Sequence, residues 1–291
     1  MTTENATLVE RIEIDPTLLI LRIRPDAIPA SGEPWFLAGQ YVSIGVGEVQ
    51  RAYSIASEPE ERRWIEFYIR FAREPATESP LTHRLWKLPI GSRVHIGEKI
   101  VGRFTLERTV GAGDPRDRLL VAAGTGLAPF VSMVRHARRS ANAAMLARLV
   151  VCHGVSHPHE LAYRDELTDA ASQAGVRYFP TVSRPAEHPE WSGLTGRVET
   201  LLDEGRVSAV TLRPDRTIVY VCGFKDTIAS SVMRLLGRGF VPEDRRLRRM
   251  IGVADDAKPS LFFEQYDVEP IFDPSDEASI AALRASLPRT D

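Results

Sequence analysis

Short stretches in which apolar and polar residues alternate fill the first 110 residues of the chain. Glycine and proline separate them, and the predicted strands are TLLILRI, QYVSIGV, RAYSIAS, WIEFYIRF, SRVHIG and GRFTL. Many short strands with such turns predict a small antiparallel β-barrel or sandwich. One helix, around SPLTHRLWKL, interrupts this pattern before the turn at Pro89 and Gly91.

The pattern changes after GAGDPRD, residues 111–117, a segment of Gly, Pro and Asp without apolar periodicity. Buried runs such as LLVAAG, ARLVVCHG and TIVYVCG then alternate with helical patterns such as APFVSMVRHARR and DTIASSVMRLLGRG. This alternation predicts a parallel sheet with helices on both faces. We therefore predict a β-barrel domain in 1–110, an α/β domain in 117–269 and a tail in 270–291. The tail contains a capped helical pattern near SDEASIAALRASL.

The stretch RAYSIAS, residues 51–57, combines a guanidinium, a phenol ring and a hydroxyl within four residues. Strand alternation predicts Arg51, Tyr53 and Ile55 on one face and Ala52, Ser54 and Ala56 on the other. An ordinary edge strand would explain the aromatic and β-branched residues. A ligand that carries both phosphate and a flat ring would explain the whole combination.

A second signal is VAAGTGLAPF, residues 121–130, which places Gly124, Thr125 and Gly126 between a buried strand and a helix. Glycine permits a tight turn and a close approach of a ligand, and a helix N-terminus favours a pyrophosphate. The spacing differs from the GxGxxG dinucleotide fingerprint. By itself it is equally well explained as a structural turn.

Two arginines strengthen the nucleotide interpretation. TVSRP ends a predicted strand with Ser183 and Arg184, and Arg197 stands in LTGR before the next helical segment. Ligands of parallel sheets lie beyond the carboxyl ends of the strands, where a guanidinium binds phosphate with two parallel hydrogen bonds. This pair favours NADP(H) over NAD(H). Cys222 and Gly223 end the following strand, and we interpret the cysteine as lining the site, because no base adjoins it in sequence.

Composition narrows the class of protein. With 43% hydrophobic and 26% charged residues the chain is typical of globular proteins, and its net charge of −2 does not favour general nucleic-acid binding. Two cysteines cannot by themselves hold an iron–sulfur cluster, which needs four ligands. Their number suits a reducing compartment. No secretory pattern or membrane-spanning apolar run is visible, so we expect a cytoplasmic protein.

From about Phe36 to about Glu269 the motifs resemble, in order, those of the bacterial ferredoxin–NADP(+) reductases. The resemblance rests on FLAGQYVSI, RAYSIAS, SPLTHRLWKLPIGSRVHIGEKIVGRFTL, LLVAAGTGLAPFVSM, VVCHGVSHPHELAYRDEL, FPTVSR, LTGRVETLLDEG and VYVCG. It implies that the antiparallel β-barrel binds FAD and that the α/β domain binds NADP. Ala38 stands where the family has proline, and Ser79 stands where it has glycine.

The resemblance also implies roles for residues of the FAD site. Arg51 would bind the FAD phosphate, Tyr53 would pack on the isoalloxazine ring, and Ser54 would lie at the reactive flavin nitrogen. Thr82 would bind the FAD pyrophosphate. The strand WIEFYIRF would contribute three further FAD-binding residues, which are Tyr68, Ile69 and Arg70.

For the NADP site, the resemblance implies that Thr125 and Cys222 border the nicotinamide, and the further predicted cofactor-binding residues here are Gly124, Gly126 and Gly223. Ser183, Arg184 and Arg197 would bind the adenosine phosphate. In LFFEQYDVE, Tyr266 would cover the flavin, although the chain continues beyond the usual end of the family. The residues predicted to act in catalysis are Ser54, Tyr53, Cys222 and Tyr266, with Glu264 or Glu269 as a proton relay.

The implied activity is electron exchange between NADPH and a one-electron carrier, an acidic ferredoxin or flavodoxin. A basic run would attract such a carrier, and RRLRR supplies Arg245, Arg246, Arg248 and Arg249; a solvated helix face explains this run equally well. Three alternatives stay open: the reductase component of an oxygenase system, an NAD(P)H diaphorase or flavin reductase, and a flavin-binding subunit without turnover.

Overall fold

The computed structural model describes residues 3–29, 34–71, 81–111, 113–207, 210–266 and 270–287, so Ser79 and Glu269 lie outside it. The chain divides into two compact units, one of residues 1–113 and 127–143, the other of residues 114–126 and 144–291. Among the described residues, each helix is too short or too polar to cross a membrane.

The first unit is an antiparallel barrel. Its strands are β1 (Ala6–Asp15), β2 (Leu18–Pro25), β3 (Tyr41–Val46), β4 (Val49–Ser54), β5 (Ile65–Arg70) and β6 (Arg93–Ile96). They form one sheet in the order β4-β3-β6-β1-β2-β5, and a bridge between Ile55 and Phe67 joins its two edge strands. This closure confirms the predicted barrel and leaves no open edge between β4 and β5. Its core is hydrophobic and includes Leu21, Ile44 and Phe67.

Three helices accompany the barrel in this unit, namely α1 (Leu81–Lys87), α2 (Leu106–Thr109) and α3 (Ala128–Arg139). The predicted strand GRFTL is wrong, because the Thr105 side chain accepts a hydrogen bond from the Arg108 backbone at 3.1 Å and starts α2. Strand β1 was not predicted. Its sequence alternates, with Ala6 and Leu8 buried, but four charged residues follow and mask the pattern.

A buried carboxylate joins α3 to the barrel. Glu66 on β5 is 1% exposed, and its oxygens lie 2.7 Å from Arg22 Nε on β2 and 2.7 Å from Arg135 Nη1 on α3. Burial by itself raises the pKa of this carboxyl, but the two guanidinium groups outweigh burial and lower the pKa below its ordinary value. Glu66 is therefore ionised and paired on both sides.

The second unit is a parallel sheet. Its strands are β7 (Asp117–Ala123), β8 (Leu149–Val155), β9 (Arg177–Val182), β10 (Leu194–Thr195), β11 (Thr217–Gly223) and β12 (Leu261–Gln265). The order is β10-β9-β8-β7-β11-β12 and every pairing is parallel. The helices are α4 (Ala143–Leu146), which starts at the boundary of the units, and α5 (Arg164–Ala174), α6 (Lys225–Leu236), α7 (Arg245–Ile251) and α8 (Glu277–Ala285). This confirms the predicted parallel sheet.

The tail packs on the second unit. Its predicted helix is confirmed as α8, which the Asp276 side chain caps by accepting from the Ser279 backbone at 3.0 Å. Leu283 is fully buried in the core of the unit, and Arg284 Nε donates to the Met250 carbonyl on α7 at 2.8 Å. The tail is therefore a structural part of the α/β unit.

Candidate functional site

The strand order of the parallel sheet reverses between β7 and β11. From β7 the chain proceeds through β8, β9 and β10 on one side, and it resumes on the other side with β11 and β12. Open α/β sheets bind ligands beyond the carboxyl ends of the strands at such a reversal, so this edge of the sheet is the candidate crevice. Gly124–Leu127 follows β7 as a 3-10 turn that runs directly into α3. Cys222 and Gly223 end β11.

Glycines allow these two strand ends to meet. A Cβ added to Gly126 would overlap the Cys222 carbonyl oxygen and lie 2.6 Å from its carbon. Gly223 has a φ of +149°, and a Cβ there would lie 2.8 Å from the Ala123 side chain. The sequence predicted a close approach of a ligand at Gly126, whereas the group that approaches closely is the backbone of β11. The glycine pair sets the spacing of the strand ends.

A buried histidine supports the same turn. His153 on β8 is fully buried, and its Nε2 lies 3.2 Å from the carbonyl oxygen of Gly124. No prediction from the sequence included this residue. The signal was present, because a polar ring within the apolar run ARLVVCHG needs a buried partner.

Three residues with predicted roles meet at the crevice. Tyr266, just beyond β12, donates its hydroxyl to the Thr125 carbonyl at 3.2 Å, and the Cys222 thiol donates to the same hydroxyl at 3.4 Å. Burial raises the pKa of Cys222 well above its ordinary value, Glu264 adds to the increase, and the Tyr266 contact only partly opposes it. The raised pKa favours the neutral thiol of Cys222 over the thiolate that a nucleophile needs, and its predicted lining role stays a prediction.

The predicted adenosine-phosphate residues follow two neighbouring strands. Thr195 on β10 pairs with Val182 on β9, so Ser183 and Arg184 leave the sheet beside Arg197. The Arg184 side chain is 60% exposed, and its Nη1 lies 3.9 Å from Glu187. The Arg197 side chain is 55% exposed, pairs with the buried Glu199, and lies 3.3 Å from Thr227 Oγ1. Two exposed guanidinium groups therefore lie at adjacent strand ends.

The predicted FAD residues Arg51, Tyr53 and Ser54 lie on β4 of the barrel. Arg51 is exposed and donates to the Gln50 carbonyl at 2.7 Å, Tyr53 is half-buried, and Ser54 is buried. Burial raises the pKa of Tyr53 to about 12, although the charge of Arg51 opposes it. The phenol is therefore neutral across the physiological range and presents a ring beside an exposed cation.

Burial along RAYSIAS does not follow the predicted alternation of faces. Ser54, Ile55, Ala56 and Ser57 are all buried, on both faces of the strand. The reason is α3, since Ser132 Oγ donates to the Ser57 carbonyl at 2.7 Å and Arg135 Nη1 donates to the Ala56 carbonyl at 3.2 Å. The most exposed part of the motif is thus its beginning, Arg51 to Tyr53, and the predicted role of Ser54 at the flavin stays a prediction.

The remaining predicted FAD residues lie on β5 and α1. Tyr68 and Ile69 are buried on β5, and Arg70, half-buried, ends this strand opposite Leu18. Thr82 occupies the first turn of α1 and is half-buried. Their roles stay predictions.

The basic run RRLRR forms most of α7, which Asp244 caps by accepting from the Leu247 backbone at 2.6 Å. Arg245, Arg246 and Arg249 are exposed. The prediction for Arg248 is wrong, because this side chain is 4% exposed and donates to backbone carbonyls of Pro242 and, at 3.0 Å, Asp255. Arg248 lies on the buried side of α7 together with Leu247 and Ile251.

Comparisons with known proteins agree with this geometry. Residues 120–232 match the family described as the oxidoreductase NAD-binding domain. The chain is 30% identical over 223 residues to ferredoxin–NADP reductase A of Sorangium cellulosum, with 70% of this chain and 74% of that protein covered. It is 34% identical over 210 residues to reductase B of the same organism, with 70% and 80% covered. A solved ferredoxin NADP+ reductase from Neisseria gonorrhoeae, with bound FAD and NADP, has a TM-score of 0.73 at 23% identity and covers 90% of this chain and 98% of its own.

Proposed function

Because the chain belongs to the ferredoxin–NADP reductase family, and is therefore an oxidoreductase, we propose that it exchanges electrons between NADPH and a one-electron carrier through bound FAD. The observation that carries the proposal is the pair of exposed guanidinium groups, Arg184 and Arg197, at the strand ends of a sheet whose switch point carries the turn Gly124–Leu127. An NAD-specific site would not need two cations there.

On the α/β unit, the chain's part is to bind and orient the dinucleotide. Backbone N–H groups of the turn Gly124–Leu127 precede the first full turn of α3 and favour the pyrophosphate. Arg184 and Arg197 bind the adenosine phosphate, and the contact of Arg197 with Glu199 holds its guanidinium in place before the ligand arrives. Thr125 and Cys222 border the nicotinamide. The Tyr266 hydroxyl is hydrogen-bonded to both of them.

On the barrel unit, the residues of β4 fit the chemistry of FAD. The exposed guanidinium of Arg51 supplies a phosphate partner, and the half-buried neutral phenol of Tyr53 supplies a surface for ring stacking. Thr82 contributes a hydroxyl to the pyrophosphate, while Tyr68, Ile69 and Arg70 complete the site from β5. The role of Tyr266 as cover of the flavin stays a prediction.

When bound, FAD accepts two electrons as a hydride from NADPH and releases them one at a time. The chain holds the ring by Tyr53 and orients the reactive nitrogen by the Ser54 hydroxyl. The neutral thiol of Cys222 excludes water from the crevice and forms no covalent bond. Since both cysteines are free and buried, we place the reaction in a reducing compartment, the cytoplasm.

The NADPH preference tests the proposal. The purified protein is expected to be yellow, to bleach under anaerobic conditions on addition of NADPH, and to react much more slowly with NADH. Arg184→Ala is expected to raise the KM for NADPH by about tenfold or more, the equivalent of one charge-assisted hydrogen bond, and to leave the KM for NADH almost unchanged.

Arg213→Ala is the matched control for this measurement, because Arg213 is also exposed and paired with a nearby carboxylate, Asp215, at 3.1 Å. It is expected to leave both KM values unchanged. A colourless protein that takes up no added FAD would refute the proposal as a whole. Equal effects of Arg184→Ala on both nucleotides would refute the assignment of the phosphate site.

We further propose that Arg245, Arg246 and Arg249, the exposed arginines of α7, attract an acidic carrier protein. Arg249→Glu is expected to lower kcat/KM for an acidic ferredoxin by about tenfold at low ionic strength, and the difference is expected to shrink in salt. Reduction of a small neutral acceptor should not change. Arg139→Glu, an exposed charge reversal at the end of α3, is the control; an equal loss there would contradict a specific docking patch.

A further inference from the structure

Three of the seven histidines of the chain meet on the α/β unit, beside the loop that carries Ser183 and Arg184, and none of the three has a role in the proposed function. His157 and His159 follow β8, and His188 follows the 3-10 turn Pro185–Glu187 after β9. The imidazole rings of His157 and His159 are stacked with centroids 5.3 Å apart, and both rings stand edge-on to His188. Protonation of any two of these imidazoles would make them repel each other, so their close packing needs an explanation.

The ring nitrogens and one carboxylate converge on a common point. His157 Nδ1 lies 2.9 Å from His188 Nε2 and 3.6 Å from a carboxylate oxygen of Glu187. The ligand atoms of all three residues lie within 4.8 Å of one another. Zinc at about 2.0–2.2 Å from nitrogen and oxygen ligands in a tetrahedron needs ligand separations of about 3.4 Å, so only a small adjustment brings these atoms to bonding distance.

A second carboxylate, that of Glu190, orients His188 for binding a metal ion. Its Nδ1 lies 3.2 Å from Glu190 Oε1, and a carboxylate can only accept, so the proton lies on Nδ1 and the lone pair on Nε2. This is the arrangement in which a histidine that binds a metal donates its other N–H to a carboxylate. The lone pair of Nε2 points towards His157.

The two loops are held in place by their backbones. Beyond the ends of β8 and β9 the pairing continues, with Ser183 N donating to Val155 O at 2.9 Å and Arg184 N to Ser156 O at 3.1 Å. The buried carboxylate of Glu160 accepts from the backbone N–H groups of Ser156 and His157. The imidazoles therefore do not depend on a mobile loop for their relative position, and little ordering is needed on binding.

We propose that His157, His188 and Glu187 bind one divalent transition-metal ion of the zinc type, with Glu190 as a positioning residue. The ligand set of two imidazoles and one carboxylate suits Zn²⁺ or Co²⁺ and is too rich in nitrogen for Mg²⁺ or Ca²⁺. The side chains of His157 and His188 are 20% and 19% exposed, while Glu187 is 57% exposed. An ion can thus enter from solvent on the Glu187 side. Because Glu187 lies 3.9 Å from Nη1 of Arg184, the proposed ion neighbours the predicted adenosine-phosphate site without sharing a ligand residue with it.

The test is a titration of the chelator-treated full chain with Zn²⁺ by calorimetry and with Co²⁺ by visible absorption. We expect one ion per chain and Co²⁺ bands typical of tetrahedral nitrogen and oxygen ligands, without the thiolate charge-transfer band that a cysteine ligand would add. His157→Gln/His188→Gln is expected to abolish this binding. Glu190→Gln is expected to weaken it by about tenfold, as loss of an outer carboxylate does.

His95→Gln is the matched control, because His95 lies on β6 of the barrel, beside Thr3, and its loss should leave one ion per chain. Circular dichroism checks that each variant is folded. If the wild-type chain binds no ion, or the double variant binds as many ions as the wild type, the proposal is refuted. A loss of affinity that is equal in His95→Gln would show adventitious surface binding only, which also refutes it.

Discussion

Gly126→Ala is expected to destabilise the protein by about 3 kcal/mol or more and to abolish reaction with NADPH. The new methyl group would overlap the carbonyl oxygen of Cys222 and come within 2.9 Å of the Gly223 nitrogen. Both obstacles are backbone atoms at the end of a central strand, so they cannot move aside as a flexible side chain does. The strand ends must separate, and the contacts of Tyr266 with Thr125 and Cys222 are then lost.

The measurement is thermal and urea unfolding, together with the rate of flavin reduction by NADPH. Gly113→Ala is the matched control, since a Cβ at Gly113 would have no atom within 4 Å and its φ is not in the left-handed region. It should leave stability and rate unchanged. A folded Gly126→Ala protein with normal NADPH kinetics would contradict the role assigned to the glycine pair.

Glu66→Gln is expected to lower the free energy of unfolding by about 3–5 kcal/mol at neutral pH. The amide keeps the shape of the carboxylate, but it leaves Arg22 and Arg135 without the negative charge that faces both of them at 2.7 Å. Urea unfolding at pH 7 measures the difference. Glu13→Gln is the control, because Glu13 is 66% exposed in its pair with Arg11, and exposed pairs contribute at most about 1 kcal/mol.

The same carboxylate gives a pH dependence. Since the pKa of Glu66 is lowered in the folded protein, its contribution is complete above the ordinary value of 4.5 and decreases as the pH falls through the lowered value. The difference between wild type and Glu66→Gln should therefore be largest near pH 7 and shrink below about pH 4.5. A difference that grows in acid would mean that Glu66 is protonated in the folded protein.

The apolar and polar pattern within each segment, taken separately, predicted most of the fold. The alternation of QYVSIGV and WIEFYIRF gave correct strands, and the buried runs around β7, β8 and β11 gave a correct parallel sheet. Errors arose where tertiary contacts decide. Burial along RAYSIAS could not be predicted, because α3, more than 70 residues away in sequence, contacts the carbonyls of Ser57 and Ala56. The strand predicted for GRFTL included Thr105, although the Thr105 hydroxyl caps a helix.

For the candidate site, the types of residue in each motif could be interpreted from the sequence, whereas the contacts between distant residues could not. Arg184 and Arg197 were predicted as neighbours because parallel strands end at one edge, and the register of β9 and β10 places them so. Arg248 could be separated from Arg249 only by the helical face that α7 buries. The meeting of His157 with His188 was not visible, since 31 positions separate them and only the pairing of β8 with β9 brings them together.

Gly237, at the end of α6, has a consequence for identifying relatives of this protein that share α8, the helix that extends the α/β unit beyond β12. A Cβ at this position would lie 3.2 Å from the carbonyl oxygen of Ser286, at the end of α8. A homologue with a bulky residue here would have to displace its terminal helix or lack one. A small residue at this position, together with an apolar residue at the position of Leu283, is therefore a two-position signature by which genome sequences with this docked extension can be distinguished from those without it.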